Sequence, residues 1–202
     1  MYRKFSLPRL VVTLGIAVLT TSAALAQSSP EADEGSAPAE TNAAPAAKHC
    51  VAELAPVTGS EKASAMGTVG CYKTFAEAMG AATDNTVVLK SDASPQSVSE
   101  GDVTTAATRV IGIDYDGTYY TGVSFIWYAR NSYGCYGGVQ YVANIPNWFN
   151  NRLSSPRGFS GCRRNTSYDG YYGKGDWVRC FPNCVYVGGF MTNRASSKRL
   201  AP

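Results

Sequence analysis

The sequence predicts a mainly β protein, in which a β-rich domain over residues 111–202 follows a small α+β module over residues 49–110. After residue 110, short apolar runs alternate with Gly and Asn, which is typical of strands joined by tight turns. The same region holds 19 of the 23 aromatic residues, and one of its segments occurs twice. The glycines have no strict period and there is one long apolar run, which excludes a collagen, a coiled coil or a multi-span membrane protein.

The charge of the chain changes sign along its length. The 202 residues carry a net charge of +3. Residues 1–26 contribute +3, residues 27–48 and residues 49–110 contribute −3 each, and residues 111–202 contribute +6. The step from acidic to basic coincides with the rise in aromatic content. Both changes place a domain boundary near residue 110.

The first 26 residues have the pattern of a secretory signal peptide. Basic residues precede the apolar run Leu10–Leu19, and small residues ending at Ala26 follow it. The alternative is a membrane helix, which needs about 20 apolar residues, roughly twice the length of this run. We therefore expect cleavage after Ala26 and a secreted, extracellular protein with no membrane segment.

Two segments of different character precede the β-rich domain. Residues 27–48 are rich in Ala, Pro, Ser and Glu, and without large apolar side chains they cannot offset the entropy cost of ordering. They predict a disordered linker. Residues 49–110 contain one helix signal, because Thr74 and Glu77 have the spacing of a capping box. The apolar run Val87–Leu89 predicts a short strand after that helix.

Six cysteines in a secreted chain predict three disulfides. Isolation favours the first pair, since only two cysteines precede residue 111, whereas the pairing of the other four stays open and is favoured only by proximity. The expected pairs are Cys50–Cys71, Cys135–Cys162 and Cys180–Cys184. A metal or redox site at the last pair is the alternative, but its spacing is not C-x2-C and no histidine is near.

His49 is the one histidine of the chain, and we expect it to be solvated at a domain edge. Catalysis of the Ser-His-Asp or Cys-His type has no other candidate base, and a His-rich zinc site is excluded. The sequence also shows no nucleophile elbow and no phosphate loop. No enzyme is expected.

The C-terminal region contains an internal repeat. Asn150–Arg157 matches Thr192–Arg199 at five of eight positions. A Tyr-Asp-Gly turn precedes each copy, within Tyr115–Gly122 and Tyr168–Gly175. Each unit has the length of about four short strands, which is one Greek key. The repeat therefore predicts a sandwich of two Greek keys.

At these residues the sequence resembles the βγ-crystallin superfamily, in particular its secreted bacterial members and a related crystallin-fold metallopeptidase-inhibitor family. The family has two marks, an aromatic hairpin of the form aromatic-x4-aromatic-x-Gly and an arch of the form N/D-N/D-x-x-S/T-S. Tyr115, Tyr120 and Gly122 match the hairpin, and Asn150–Ser155 matches the arch. The resemblance implies a two-Greek-key crystallin-like sandwich over residues 111–202.

The second unit departs from both marks. Gly173 occupies the second aromatic position of its hairpin, unless Tyr172 serves after a slip of one residue. Thr192 replaces the first Asn or Asp of its arch. The resemblance covers under half of the chain, and its strength comes from two arches that each follow their own Tyr-Asp-Gly turn.

The resemblance implies that the two arches bind Ca²⁺. In such sites the ligands are the arch serine, backbone carbonyls beside the Asn pair and the residue after the first hairpin aromatic. The expected metal-site residues are Asp116, Asn150, Asn151, Arg152, Ser154, Asp169, Asn193, Arg194 and Ser196. Each site has at most one carboxylate and a nearby arginine, so the expected affinity is weak, about 10⁻⁴–10⁻³ M. Alternatively, the arch is only a turn shaped by side-chain-to-backbone hydrogen bonds.

Two other functions stay open. A secreted peptidase inhibitor needs a rigid loop held by a disulfide, and Asn131–Gly138 and Cys180–Cys184 are candidate loops. A cell-wall or glycan-binding module would use interleaved bases and aromatics, namely Arg163, Arg164, Tyr168, Tyr171 and Tyr172. Secretion argues against a nucleic-acid partner. We expect a monomer whose partner is an extracellular protease or a cell-wall glycan.

Overall fold

The computed structural model describes residues 49–103, 105, 107–130 and 133–202. The predicted signal peptide and linker lie outside the described residues. In chain order the elements are β1 (His49–Glu53), β2 (Gly70–Tyr72), α1 (Phe75–Ala82), β3 (Arg109–Tyr115), β4 (Ser124–Ala129), β5 (Tyr141–Asn144), β6 (Ser155–Gly158), β7 (Arg164–Tyr168), β8 (Trp177–Cys180) and β9 (Ser197–Ala201).

The strands form two sheets, with the orders β2-β1-β4-β3-β6 and β5-β9-β7-β8. The first unit comprises β3 to β6. Its strand β5 lies in the second sheet, where it pairs with β9. The corresponding segment of the second unit lies along β6 without forming a regular strand. Its Cys184 N donates to Pro156 O (3.1 Å) and its Val187 N to Ser154 O (2.9 Å). The predicted mainly β, crystallin-like sandwich of two Greek keys is confirmed.

The N-terminal residues extend the first sheet. β1 pairs in parallel with β4 and in antiparallel with β2. Its alternating side chains face two apolar layers, because successive residues of a strand point to opposite faces. Cys50 and Ala52 lie in the core that also contains Phe125, whereas Val51 lies in the core under α1 with Phe75. The change of composition at residue 110 thus falls inside β3.

Helix α1 begins as the sequence predicts. Glu77 N donates to Thr74 Oγ1 (3.2 Å) and Thr74 N donates to Glu77 Oε2 (3.0 Å), so the capping box is complete. The strand predicted at Val87–Leu89 is wrong. That run lies outside the named strands and Val88 is exposed, so its apolar pattern does not join a sheet.

The three expected disulfides are confirmed as Cys50–Cys71, Cys135–Cys162 and Cys180–Cys184. The first joins directly opposed residues of β1 and β2. Within the described part of the chain, no helix is both long and apolar enough to cross a bilayer.

His49 is not solvated, contrary to the expectation. Its side chain is buried, its Nδ1 lies 2.8 Å from Ser124 Oγ, and its ring packs edge-on against Phe75. The physical reason is the pairing of β1 with β4, which brings the start of the described chain into the middle of a sheet. Ser124 is fully buried, so its hydroxyl is not presented to a substrate.

Candidate functional site

Each repeat folds into a hairpin that closes on the arch of its own unit. In the first unit Ser155 Oγ donates to Gly117 O (2.6 Å) and accepts from Tyr120 N (3.0 Å). In the second unit Ser197 Oγ bonds in the same way to Gly170 O and accepts from Gly173 N (2.9 Å). The last serine of each N-R-x-S-S segment therefore ties its arch to its hairpin.

The two arches also bond to each other. Asn151 N donates to Ala195 O (3.0 Å), and Asn193 N donates to Leu153 O (3.1 Å). Both asparagines lie in the left-handed region, with φ of 60° and 58°. Asparagine tolerates this conformation better than most residues, which explains its repetition at this point of the arch.

The hairpin aspartates bind the arch arginines. Asp116 Oδ1 accepts from Val123 N (2.7 Å), and its Oδ2 accepts from the guanidinium of Arg152 (2.7 Å). Asp169 repeats this arrangement with Asp176 N (2.8 Å) and Arg194 (2.8 Å). Both carboxylates are only one-fifth exposed. The sequence placed these aspartates and arginines in one site, but it did not show that they neutralise each other.

The remaining predicted ligands lie close to these pairs. Ser154 and Ser196 are buried at equivalent positions, and their backbone N–H groups donate to Tyr115 O and Tyr168 O (2.8 Å each). Asn150 donates from Nδ2 to Tyr171 Oη (3.2 Å), while its buried Oδ1 has no hydrogen-bond partner. The first arch thus has one unused hard oxygen, of the type that calcium accepts.

In this geometry each aspartate is paired with an arginine where the resemblance implies a calcium ion. Both oxygens of each carboxylate are already engaged, and the arginine beside it supplies the positive charge that the metal would bring. Calcium at Asp116 or Asp169 would compete with the arginine for the carboxylate. Among the described residues, no group of three or more His, Cys, Asp and Glu side chains could hold a metal ion.

Gly173 takes the second aromatic position of its hairpin without a slip. Tyr120 and Gly173 have similar φ values, 62° and 68°, and both donate to the arch serine. In the first unit the Tyr120 ring packs on Tyr115 at 5.6 Å between centroids, and Arg157 lies 5.1 Å from it. The second unit lacks this ring.

The Cys180–Cys184 disulfide closes a five-residue loop at the end of β8. Asn183 Oδ1 accepts from Gly158 N (3.1 Å), and Cys184 N donates to Pro156 O, so two bonds hold the loop on β6. Phe181 is 70% exposed within this loop. The loop therefore displays a large apolar side chain from a fixed backbone.

A buried ion pair, which sequence reasoning missed, joins the two sheets. Lys198 of β9 bonds to Asp114 of β3, and Trp127 Nε1 donates to the other oxygen of Asp114 (2.6 Å). All three side chains are fully buried. Burial lowers the pKa of Lys198, and the adjacent Asp114 partly opposes this change. The sequence did contain a signal for this ion pair, because Lys198 stands where the first copy of the repeat has Pro156.

The strand order and the two hairpin–arch pairs define a crystallin-like sandwich. Among solved structures, a βγ-crystallin from an archaeon is similar to this chain, with 19% sequence identity over 48% of this chain and 99% of that chain. The TM-score is 0.32. The crystallin-like fold is therefore assigned from the strand order of this chain and not from that similarity. No family profile and no curated protein matches the sequence.

Proposed function

We propose that the protein is a secreted, non-enzymatic βγ-crystallin-like protein that inhibits an extracellular peptidase through its Cys180–Cys184 loop. The observation that carries this proposal is the display of Phe181 from a disulfide-closed loop. An inhibitor loop binds a protease cleft most favourably when its bound conformation is already formed in the free protein. The disulfide and the bonds to β6 fix the loop in advance, which lowers the ordering cost of association.

Phe181 is the side chain that would fill a specificity pocket. Aromatic side chains bury about 150–250 Å² each and are frequent energetic centres of interfaces. Tyr119 and Val185 are also exposed, and Tyr119 N donates to Val185 O (2.7 Å), so apolar surface continues beyond the loop. A protease preferring an aromatic or large apolar residue is therefore the expected target class.

An inhibition panel tests this proposal. We would titrate the secreted protein against a chymotrypsin-like serine protease, a subtilisin-like serine protease and a thermolysin-like metallopeptidase. Stoichiometric inhibition of at least one is expected. Phe181→Ala should weaken it about 30- to 700-fold, which corresponds to about 2–4 kcal/mol for an interface centre.

Phe190→Ala is the matched control, because Phe190 is a second exposed phenylalanine (52%) outside the disulfide loop. It should leave inhibition unchanged. The double variant Cys180→Ser/Cys184→Ser should lose inhibition while keeping the fold, because it opens the loop and leaves both other disulfides. If no protease is inhibited, or if Phe190→Ala and Phe181→Ala act alike, the proposal is wrong.

Calcium binding is the second candidate and stays a prediction. The unpartnered Oδ1 of Asn150 favours it at the first arch, whereas the Arg152–Asp116 pair opposes it. Calorimetric titration with Ca²⁺ up to about 10 mM covers the range typical of extracellular sites. Heat of binding that Ser154→Arg abolishes would support the site. A flat titration would leave the arches as metal-free structural elements.

A further inference from the structure

We propose that a groove beside Tyr171 and Tyr172 binds a neutral oligosaccharide chain. None of the described residues that line this groove belongs to the Cys180–Cys184 loop, so the inference goes beyond the proposed inhibition. It arises where the second hairpin meets the segment after β5. The two hairpins of the protein are equivalent in backbone, but they have different surroundings, and only the second borders this groove.

The groove has the size of a small-ligand site and no charge. Its volume is about 330 Å³, near the lower end of the range for small-molecule sites. None of the described side chains that line it is Asp, Glu, Lys or Arg. Its walls include Met66, Val69, Pro146, Asn144, Tyr171 and Tyr172. Neutral walls in a domain of net charge +6 favour an uncharged ligand over a polyanion.

Two tyrosine rings form the apolar side of the groove. Tyr171 and Tyr172 are 45% and 48% exposed, and their ring centroids lie 6.5 Å apart at an interplanar angle of 57°. Tyrosine offers a flat apolar face with a polar tip, which suits a sugar ring whose C–H face is apolar and whose edge carries hydroxyls. A tilted pair of rings can contact two successive sugar units of a chain.

Hydrogen bonds hold the backbone of Tyr172 and the hydroxyl of Tyr171 before any ligand arrives. Tyr172 has a left-handed backbone (φ 61°), and its N–H donates to Asn144 Oδ1 (2.8 Å). Tyr171 Oη accepts from Asn150 Nδ2. This ordering reduces the conformational entropy that is lost on binding, so more of the contact energy appears as affinity.

Amide groups supply the polar side. Asn144 and Asn147 line the groove, and Asn150 bonds to Tyr171 at its edge. An amide side chain carries both a donor and an acceptor group, and sugar hydroxyls bond to either. Apolar ring faces combined with uncharged amides therefore define a neutral polyhydroxylated ligand.

Tyr119 is an internal control for this site. It occupies the position of Tyr172 in the first hairpin, with φ of 53°, and it is 66% exposed. Its N–H donates to Val185 O and not to an asparagine side chain. Removal of Tyr119 should therefore leave sugar binding intact, although the side chain and its backbone conformation match those of Tyr172.

The test uses the secreted protein with three hexasaccharide probes. Two are neutral, chitohexaose and cellohexaose, and one is anionic, hexagalacturonate. Amide chemical shifts followed by NMR should change with at least one neutral probe, at Asn144, Ile145, Asn147, Tyr171 and Tyr172. Tyr172→Ala should weaken that binding at least tenfold, which is about 1.4 kcal/mol, and Tyr119→Ala should stay within about twofold. Thermal melts establish that both variants are folded.

Three outcomes would overturn the inference: no shift with either neutral probe, tighter salt-sensitive binding of hexagalacturonate, or shift changes mapping elsewhere on the wild-type protein. The wild-type mapping decides the question even if Tyr172→Ala does not fold. Protease inhibition is read from a different loop, so a failure of inhibition and a failure of sugar binding are separate results.

Discussion

Replacement of Lys198 by methionine is expected to destabilise the protein by about 3–5 kcal/mol. The substitution keeps an unbranched side chain but removes the charge, so it leaves the carboxylate of Asp114 buried with only the N–H of Trp127 as a partner. Both ends of the pair are fully buried, so solvent does not weaken the interaction. A contact ion pair at an effective dielectric constant of about 20 has a coulombic attraction of about 5 kcal/mol, which agrees with this range.

A double-mutant cycle measures the coupling energy of the Lys198–Asp114 ion pair separately from the effect of each single substitution. Asp114→Asn leaves the charge of Lys198 unpaired and should also lose about 3–5 kcal/mol. The double variant Lys198→Met/Asp114→Asn retains an acceptor for Trp127 Nε1 and buries no charge. It should therefore lose only about 1–3 kcal/mol, the cost of an imperfectly paired amide. The expected coupling energy is about 3 kcal/mol or more.

Urea unfolding with the disulfides intact, followed by tryptophan fluorescence, measures these free energies. Lys174→Met is the matched control, since Lys174 is an exposed lysine of the second hairpin, and it should change stability by less than about 0.5 kcal/mol. A loss below about 1 kcal/mol for Lys198→Met, or additive losses in the cycle, would refute the reasoning.

Three further predictions concern the hairpins and arches. Gly173→Tyr should change the free energy of unfolding by less than about 1 kcal/mol in urea unfolding, because the left-handed backbone (φ 68°) costs a side chain about 1–2 kcal/mol and the ring packing seen in the first unit offsets this cost; a loss above about 2 kcal/mol would contradict the equivalence of the hairpins. Burial raises the pKa of Tyr115 above its ordinary value. Tyrosine in the unfolded chain ionises near pH 10, whereas native Tyr115 stays protonated. The free energy of unfolding should therefore fall above about pH 10, by about 1.4 kcal/mol per pH unit. Tyr115→Phe should flatten this fall in unfolding experiments between about pH 9 and 11. Arg152→Ala should cost about 0.5–1 kcal/mol, because its ion pair with Asp116 is partly exposed, and about 5 mM Ca²⁺ should raise its melting temperature more than it raises that of the wild type.

The features that the sequence predicted well are local or repeated. The capping box of α1 depends on residues three positions apart, and the hairpin and arch depend on short motifs that occur twice. The close spacing of Cys180 and Cys184 made their pairing the natural choice. Each of these signals comes from neighbouring residues, whose geometry the backbone constrains directly.

The features that the sequence did not predict depend on distant partners. The parallel pairing of β1 with β4 joins His49 to Ser124, and periodicity within either strand does not identify the other. Lys198 and Asp114 are 84 positions apart, and each alone resembles a surface charge on a strand. Val87–Leu89 had a strand-like composition, but only a neighbouring sheet edge could have made it a strand.

The position of β9 imposes an order on folding. β9 lies between β5 and β7, and it is the last strand of the described chain. The four-stranded sheet therefore cannot close until Ser197–Ala201 is available for pairing, although β5 is complete more than 50 residues earlier. Contacts between such distant segments form slowly, because the loop-closure entropy is lost before the contacts are gained. We expect the second sheet to close only once β9 has paired with β5 and β7, which also brings Lys198 to Asp114.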